Sequence, residues 1–318
     1  MSEKRLGVAA MGGDSRTVVA RIQDLEARGI EAAWLTSGGA GPDALTTFAA
    51  AAATTERILM GTSIIPTYPR HPIVSVAQTQ VVAQLAPGRF RLGLGPSHKV
   101  SIEPMFGIEH NAPLTNLREY IQVVKALLWE GQVDFDGTQY HGHGSLPGAP
   151  APDVPVMASA LRRRSFRLCG EVADGAISWV CPGQYLRDVA LPEMQRGAER
   201  AGRDVPPLIA HAPVCVHDNP DEVREAARAQ LANYPRSPFY QEMFAASGHP
   251  EAREGGWSDG MIEDVVLMGD EETVAGRIRE LFDWGATEIL AHPLTAGGDA
   301  SASMERNLNL IATVGQGL

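Results

Sequence analysis

Short apolar runs alternate with longer amphipathic stretches along this chain, and no other sequence feature constrains the fold as strongly. Residues 6–10 form the first apolar run, and residues 18–27 then carry apolar side chains at helical spacing. The pattern continues through eight strand-type segments, at residues 6–10, 32–36, 57–65, 90–94, 154–158, 175–180, 208–216 and 287–291. Eight such units in series favour a closed parallel barrel over an open sheet. The sequence therefore predicts an α/β protein with the (β/α)8 TIM-barrel architecture.

Three features refine this prediction. The fourth helix is expected to run from Thr115, a plausible N-cap, to Trp129. Residues 131–144 alternate apolar and polar side chains around Asp136-Gly137, which predicts a β-hairpin inserted after that helix. Residues 233–261 are rich in Pro, Gly and small polar residues, which predicts an excursion of short helices and loops near the seventh strand. No composition shift marks a linker, so residues 1–318 are predicted to form a single domain.

Charge and composition exclude several classes of protein. The net charge of -11 opposes attraction to nucleic acid or to an anionic membrane surface, so neither is expected as a partner. The first ten residues lack the long apolar run of a signal peptide, which predicts a cytoplasmic protein. Cys169, Cys181 and Cys215 are odd in number and lack metal-ligand spacing, so we expect reduced, buried thiols and no metal site.

Polar, glycine-rich loops follow the third and fourth strands, where a parallel barrel binds ligands. The fourth strand runs into Gly93-Leu94-Gly95-Pro96-Ser97-His98, whose glycines allow close backbone approach to a flat ring or a phosphate. This is not a dinucleotide fingerprint, because the third glycine and the following helix are missing. His98 is the best candidate for a proton donor or substrate contact, and a structural hydrogen bond is the alternative.

Three consecutive arginines, Arg162, Arg163 and Arg164, follow the fifth strand and begin a helix. Cations in a first helical turn oppose the helix macrodipole, whose positive end lies there. A bound phosphate that meets backbone N–H groups and one or more of these arginines would compensate. A solvated basic face, or ion pairs with Glu171 and nearby carboxylates, is the alternative.

Four blocks carry a family resemblance: residues 65–72, residues 88–95 with Ser97-His98, residues 161–175 and residues 269–274. With these blocks in order, the chain resembles the bacterial-luciferase-like flavin and deazaflavin oxidoreductases, and specifically the branch that uses the deazaflavin coenzyme F-420. The resemblance implies hydride exchange between C5 of the cofactor and a small organic substrate, in a homodimer. An FMN-dependent monooxygenase and a non-catalytic ligand-binding relative are the alternatives.

The resemblance also assigns site residues. In the family the third strand ends in a bulge, often with a non-prolyl cis peptide, that supports the ring; Ser63-Ile64 is the candidate pair, and an ordinary strand is the alternative. The implied cofactor-binding residues are Thr62, Ser63, Ile64, Gly95, Pro96, Ser97, His98, Ala160, Leu161, Arg162 and Arg163, and His98 is the candidate catalytic residue. The chain departs from its relatives at Arg162-Arg163, where they have Gly-Pro, and at the end of the second strand.

At that second strand end Thr36 and Ser37 replace a His or an acidic residue, and hydroxyl groups are poor acids and bases at neutral pH. Trp179 either walls the pocket or belongs to the core. The remaining candidates are secondary. His211, His217 and His292 are interpreted as structural histidines with satisfied hydrogen bonds, and His71 is interpreted as a loop group or a helix-entry residue. Glu103, His141 and His143 are remote candidates for substrate-loop groups.

Overall fold

The structure, a computed structural model, describes residues 4–151 and 153–318. Within them the strands are β1 (Arg5–Ala9), β2 (Ala32–Leu35), β3 (Leu59–Thr62), β4 (Ile65–Pro66), β5 (Phe90–Gly95), β6 (Gln132–Asp136), β7 (His141–Ser145), β8 (Val156–Ser159), β9 (Ala176–Trp179), β10 (Leu208–Val216), β11 (Leu267–Gly269) and β12 (Glu288–Pro293). The helices are α1 (Ser15–Ala27), α2 (Ala44–Ala52), α3 (Pro72–Leu85), α4 (Lys99–Phe106), α5 (Pro113–Lys125), α6 (Arg163–Val172), α7 (Gly183–Tyr185), α8 (Leu191–Ala201), α9 (Pro220–Gln230), α10 (Pro238–Ala246), α11 (Asp259–Val265), α12 (Glu271–Asp283) and α13 (Ala300–Gly315). Two π-helical turns, Ala126–Glu130 and Leu186–Ala190, and a 3-10 turn, Pro250–Glu254, complete the list.

Eight parallel strands close into the predicted barrel. Around the barrel their order is β1, β2, β3, β5, β8, β9, β10 and β12, and β12 pairs with β1 to complete the ring. The short strand β4 continues the third position by pairing with β5, and β11 pairs with the far end of β10. The (β/α)8 prediction is confirmed, and so are the positions of all eight strands.

Local chemistry sets where the helices begin. Most of the long helices have a side chain at the N-cap that accepts a hydrogen bond from a backbone N–H of the first turn. These caps are Asp14, Asp43, His71, Asn219, Ser258, Asp270 and Asp299. The prediction for the fourth helix was wrong at its start, because α5 begins at Pro113 behind a left-handed Ala112 instead of being capped by Thr115. The sequence analysis did not predict α4, which begins directly after the loop of the fourth strand and contains Pro104 in its interior.

A polar cluster closes the amino-terminal end of the barrel. Arg91 and Glu288 form a buried ion pair, and Glu288 Oε1 also accepts a 2.8 Å hydrogen bond from Trp34 Nε1. The Arg91 guanidinium lies 4.2 Å from the centre of the Trp34 ring. Trp34 fits only because its neighbours are glycines: a Cβ atom added at Gly61 would lie 2.5 Å from the indole, and one added at Gly7 would lie 2.9 Å from it. The barrel is therefore solid at this end, and a ligand must enter at the other.

The hairpin of β6 and β7 is tied to α5 by one carboxylate. Glu119 accepts hydrogen bonds from the backbone N–H groups of Thr138, Gln139 and Tyr140 at 2.7–3.0 Å. A Cβ atom at Gly137 would lie 2.3 Å from Glu119 Oε2, so glycine is required for this close approach. The predicted hairpin is confirmed, and Glu119 fixes its position relative to the barrel.

The predicted excursion near the seventh strand is also confirmed, since residues 233–261 contain α10, the 3-10 turn and the start of α11. The three cysteines are buried free thiols, and burial raises the pKa of Cys169 and Cys181 to about 12. Across the described part of the chain, no helix combines the length and the apolar character needed to cross a bilayer.

Candidate active site

The side chains that face the barrel axis change character toward the carboxyl ends of the strands. Alternate residues of each strand face inward, and the middle of the barrel is filled by an apolar cluster. Its members are Ala9, Ala32, Trp34, Met157, Ile177, Ile209 and Leu290. Two residues further along their strands, the same inward rows reach Thr36, Ser159, Trp179, His211 and His292. The mouth of the barrel is therefore polar and aromatic where the middle is apolar.

The third strand ends in the predicted bulge. The peptide bond between Ser63 and Ile64 is cis, as the resemblance implied for this pair. Thr36 Oγ1 donates a 2.7 Å hydrogen bond to the carbonyl oxygen of Ser63. Thr62 is fully buried, and its hydroxyl both donates to the carbonyl and accepts from the N–H of Gly93, each at 2.8 Å. Thr62 and Thr36 thus hold the bulge in place, and their hydroxyls are already engaged with the backbone.

The glycines of β5 allow this bulge to sit against the fourth strand. A Cβ atom at Gly93 would lie 1.9 Å from the carbonyl oxygen of Thr62. A Cβ atom at Gly95 would lie 2.3 Å from Ser159 Oγ and 2.9 Å from Ile64 Cγ1. The backbone then turns through Ser97, which has a left-handed φ of 58°. Glycine is consequently required at both positions for the close approach of β5 to the bulge and to β8.

His98 follows this turn at the N-cap of α4 but makes no capping hydrogen bond. Its ring centre lies 5.9 Å from that of Tyr240 in α10, and neither ring nitrogen has a hydrogen-bond partner among the described residues. Burial, assisted by nearby His110, lowers the pKa of His98, so the ring is neutral at pH 7. The structural hydrogen bond considered as its alternative role is not present, and the catalytic role stays a prediction.

Five aromatic rings, here called the mouth cluster, form one wall of the barrel opening. Trp179 packs against His211 with ring centres 4.0 Å apart and planes tilted by 46°, and its ring centre lies 5.1 Å from that of His292. Two tyrosines from the excursion after β10 extend the wall: the ring centre of Tyr234 lies 5.5 Å from that of Trp179, and the ring centre of Tyr240 lies 5.0 Å from that of Tyr234. Sequence reasoning missed both tyrosines, because the excursion has no periodicity from which to infer an inward direction.

The interpretation of His211 and His292 as satisfied structural histidines was wrong. Neither side chain makes a hydrogen bond within the described residues, and both contact aromatic rings; His211 Nε2 is buried without a partner. Burial, with a contribution from His292, lowers the pKa of His211 well below its usual value, and burial lowers that of His292 to about 4. Both rings are therefore neutral at pH 7. The interpretation of His217 was correct, since its Nδ1 accepts a 3.1 Å hydrogen bond from the N–H of Asn219.

The start of α6 lies at the same end of the barrel, directly after β8. The Ser165 hydroxyl accepts hydrogen bonds from the N–H groups of Leu161 and Arg162, at 3.1 and 3.0 Å. These two predicted cofactor contacts therefore have no free backbone donor. The N–H groups of Arg163 and Arg164 remain without a backbone partner, and no acidic residue occupies the first turn.

The three arginines point to different surroundings. Arg163 Nη1 lies 3.6 Å from Glu193 Oε1. Arg164 lines a groove of about 650 Å³ on the outer surface, between α5, α6 and α8. Arg162 is exposed and forms no ion pair within the described chain. Glu171 pairs with arginines of α5 and α8 instead of with this triplet. Arg162 is thus the cation best placed to meet an anionic group at the helix N-terminus.

The secondary candidates lie outside this arrangement. His71 caps α3, which makes it a helix-entry residue. Glu103 accepts a 3.0 Å hydrogen bond from the N–H of His110. His141 and His143 pair with Asp136 and Asp134 on the exposed face of the hairpin, at 2.8 and 2.7 Å.

Comparison with known proteins agrees with this architecture. Residues 2–288 match the family model described as luciferase-like monooxygenase. The chain is 34% identical to the F-420-dependent glucose-6-phosphate dehydrogenase of Beutenbergia cavernae, over 86% of this chain and 83% of that protein. It is 27% identical to the 5,10-methylenetetrahydromethanopterin reductase of Methanolobus tindarius, over 90% of this chain and 91% of that protein.

Solved structures support the fold. The F-420-dependent tetrahydromethanopterin reductase of Methanopyrus kandleri superimposes with a TM-score of 0.79 at 23% identity, and 98% of each chain is covered. The chain therefore belongs to the luciferase-like monooxygenase family, and its similarity to F-420-dependent enzymes over most of its length identifies it as an oxidoreductase.

Proposed function

We propose that this oxidoreductase binds coenzyme F-420 at the barrel mouth and exchanges a hydride between C5 of the cofactor and a small organic substrate. The observation that carries the proposal is the start of α6. There, among the residues that the structure describes, Arg162 forms no ion pair, the N–H groups of Arg163 and Arg164 have no backbone partner, and the first turn contains no carboxylate. A cofactor phosphate is the kind of group that such a helix N-terminus favours.

The rest of the mouth fits a flat ring attached to that phosphate. At Gly95 a side chain would collide with Ser159 and Ile64, so glycine keeps this strand end close to the Ser63-Ile64 bulge. Pro96 and Ser97 follow β5 at this end of the barrel, and Ala160 lies between β8 and α6. When bound, F-420 supplies the two-electron hydride chemistry, and the protein contributes binding, orientation and exclusion of water. The relatives named for F-420 favour this cofactor over FMN.

Proton handling cannot follow the pattern of relatives that carry a His or an acidic residue after the second strand. Thr36 occupies that region, and its hydroxyl donates to the Ser63 carbonyl. His98 is neutral at pH 7, with ring nitrogens that no described residue engages. It is therefore the group at this face of the mouth that could accept a proton or donate a hydrogen bond to a substrate.

We also propose the homodimer that the resemblance implied. Helix α3 carries three apolar side chains on one exposed stripe, Val74, Val81 and Leu85, each between 44% and 49% exposed. Seven and four residues separate them, so they lie on one face of the helix. An exposed apolar stripe of this kind is typical of a surface covered by a partner.

Titration of F-420 into the purified protein, followed by cofactor fluorescence, tests the phosphate contact. Arg162→Ala should weaken F-420 binding about tenfold, since a hydrogen bond to a charged group contributes about 1.5 kcal/mol or more. Arg162→Ala combined with Arg163→Ala should weaken it further. Arg164→Ala is the matched control, because this arginine lines the outer groove, and its affinity should change by less than about twofold. Unchanged affinity in the double variant would refute the phosphate assignment.

A further inference from the structure

We propose that the mouth cluster is the substrate-binding wall and that it takes an uncharged molecule with a flat apolar body and one carbonyl or hydroxyl oxygen, which a ring nitrogen of His211 binds. The inference rests on the proposed function, because it assigns the substrate class of the same site. It concerns this chain's own residues and does not depend on how the cofactor is held.

His211 provides the first argument. Only 7% of the residue is exposed, yet its ring has no hydrogen-bond partner among the described residues. A buried polar group left without a partner costs about 1–3 kcal/mol. Native structures keep few such groups, and those that persist call for an explanation. A ligand oxygen is the partner that satisfies His211, since a neutral imidazole can donate from one ring nitrogen and accept at the other.

The surroundings of His211 decide the shape of the ligand. The ring centre of Trp179 lies 4.0 Å from that of His211, and the ring centre of His292 lies 5.7 Å from it. Tyr234 and Tyr240 add two further rings on the side of the excursion. Aromatic rings favour stacked or edge-to-face contacts with another flat group. The wall therefore suits a planar or cyclic apolar body.

The charge state of the mouth cluster disfavours anionic substrates. Both histidines are neutral at pH 7, and burial raises the pKa of Tyr240 well above its usual value. Where cations lie over rings in the described structure, those rings are Phe282 and the tryptophans at positions 34, 129 and 284, all outside the mouth cluster.

The whole sequence has only three lysines, Lys4, Lys99 and Lys125. Lys99, in the helix after the fourth strand, pairs with Glu103 at 3.6 Å. A phosphate or carboxylate moved against the mouth cluster would lose hydration, and the neutral rings of the cluster carry no charge to compensate. The cluster thus disfavours a sugar phosphate, although one relative is named for glucose 6-phosphate.

Three probes that differ in one group test the inference on the cofactor-free protein by isothermal titration calorimetry. Acetophenone has the flat body and the oxygen, ethylbenzene has only the body, and phenyl phosphate has the body with a charge. We expect acetophenone to bind more tightly than ethylbenzene, and phenyl phosphate to bind more weakly than either. His211→Phe should lower the affinity for acetophenone about tenfold, the value of one hydrogen bond of about 1.4 kcal/mol. The same variant should leave ethylbenzene within about twofold.

His217→Phe is the matched control, because His217 is hydrogen-bonded to Asn219 outside the cluster, and it should change neither affinity. The inference is overturned if phenyl phosphate binds best, if wild-type protein does not prefer the ketone over the hydrocarbon, or if His211→Phe affects both neutral probes equally. The wild-type comparison decides even if the variant fails to fold. Because the assay contains no F-420, a failure of cofactor binding would leave its result interpretable on its own.

Discussion

The buried ion pair between Arg91 and Glu288, at the closed end of the barrel, allows a quantitative test of the fold. Glu288 is 3% exposed, and its carboxylate receives Trp34 Nε1 at 2.8 Å and Arg91 Nη2 at 3.0 Å. Glu288→Gln keeps the shape but leaves the Arg91 guanidinium without its counter-charge. Breaking a buried pair from one side costs about 3–5 kcal/mol. An unfolding entropy of about 2.1 cal/mol/K per residue gives about 0.67 kcal/mol/K for 318 residues, so Tm should fall by about 4–8 °C.

Differential scanning calorimetry at pH 7 measures this shift, and Glu225→Gln is the control because Glu225 is exposed on α9. A second variant separates lost charge balance from lost packing. Glu288→Gln combined with Arg91→Met retains an acceptor for Trp34 and removes the unpaired cation, so it should be more stable than Glu288→Gln alone. Two results would contradict this prediction: a fall in Tm of less than about 2 °C for Glu288→Gln, or a double variant that is less stable than Glu288→Gln alone.

Two further predictions concern the hairpin and the dimer. Burial disfavours the Glu119 carboxylate, but the N–H groups of the hairpin outweigh it and lower its pKa. Its contribution of about 2 kcal/mol is therefore complete above the unfolded pKa near 4.3 and lost as pH falls through the folded value. Glu119→Gln should be destabilising in urea titrations at pH 7 and less so at pH 3, and an equal effect at both would contradict this. Val81→Asp should convert a dimer to a monomer in size-exclusion chromatography with light scattering, while Val205→Asp, at 47% exposure, should not; a dimer that survives Val81→Asp would exclude the α3 stripe.

Periodicity was sufficient for the barrel, because a buried parallel strand needs a continuous apolar run and each crossover helix needs its own apolar face. It could not locate α4, whose interior Pro104 resembles a loop signal, or the left-handed Ala112 that precedes α5. Both depend on contacts made only in the folded chain.

Within the site, the family resemblance implied the Ser63-Ile64 cis bond and the sequence predicted the arginine-headed helix, but His211 and His292 were misassigned. A usable signal was present, since each lies two residues beyond an inward apolar residue, Ile209 and Leu290. Which ring would lack a partner could not be predicted, because that depends on the excursion after β10 and on the packing of Trp179. The roles of the remaining site residues and the single-domain organisation stay predictions.

A paired equilibrium titration of the purified wild-type protein with F-420 and with FMN, under the same conditions, tests whether the barrel mouth binds F-420. We expect saturable binding of F-420 at one site per chain, and we expect FMN at equal concentration not to displace it. Saturable FMN binding without F-420 binding would contradict the proposed F-420 dependence and favour a flavin monooxygenase. Failure to bind either molecule would contradict it as well and favour a non-catalytic relative.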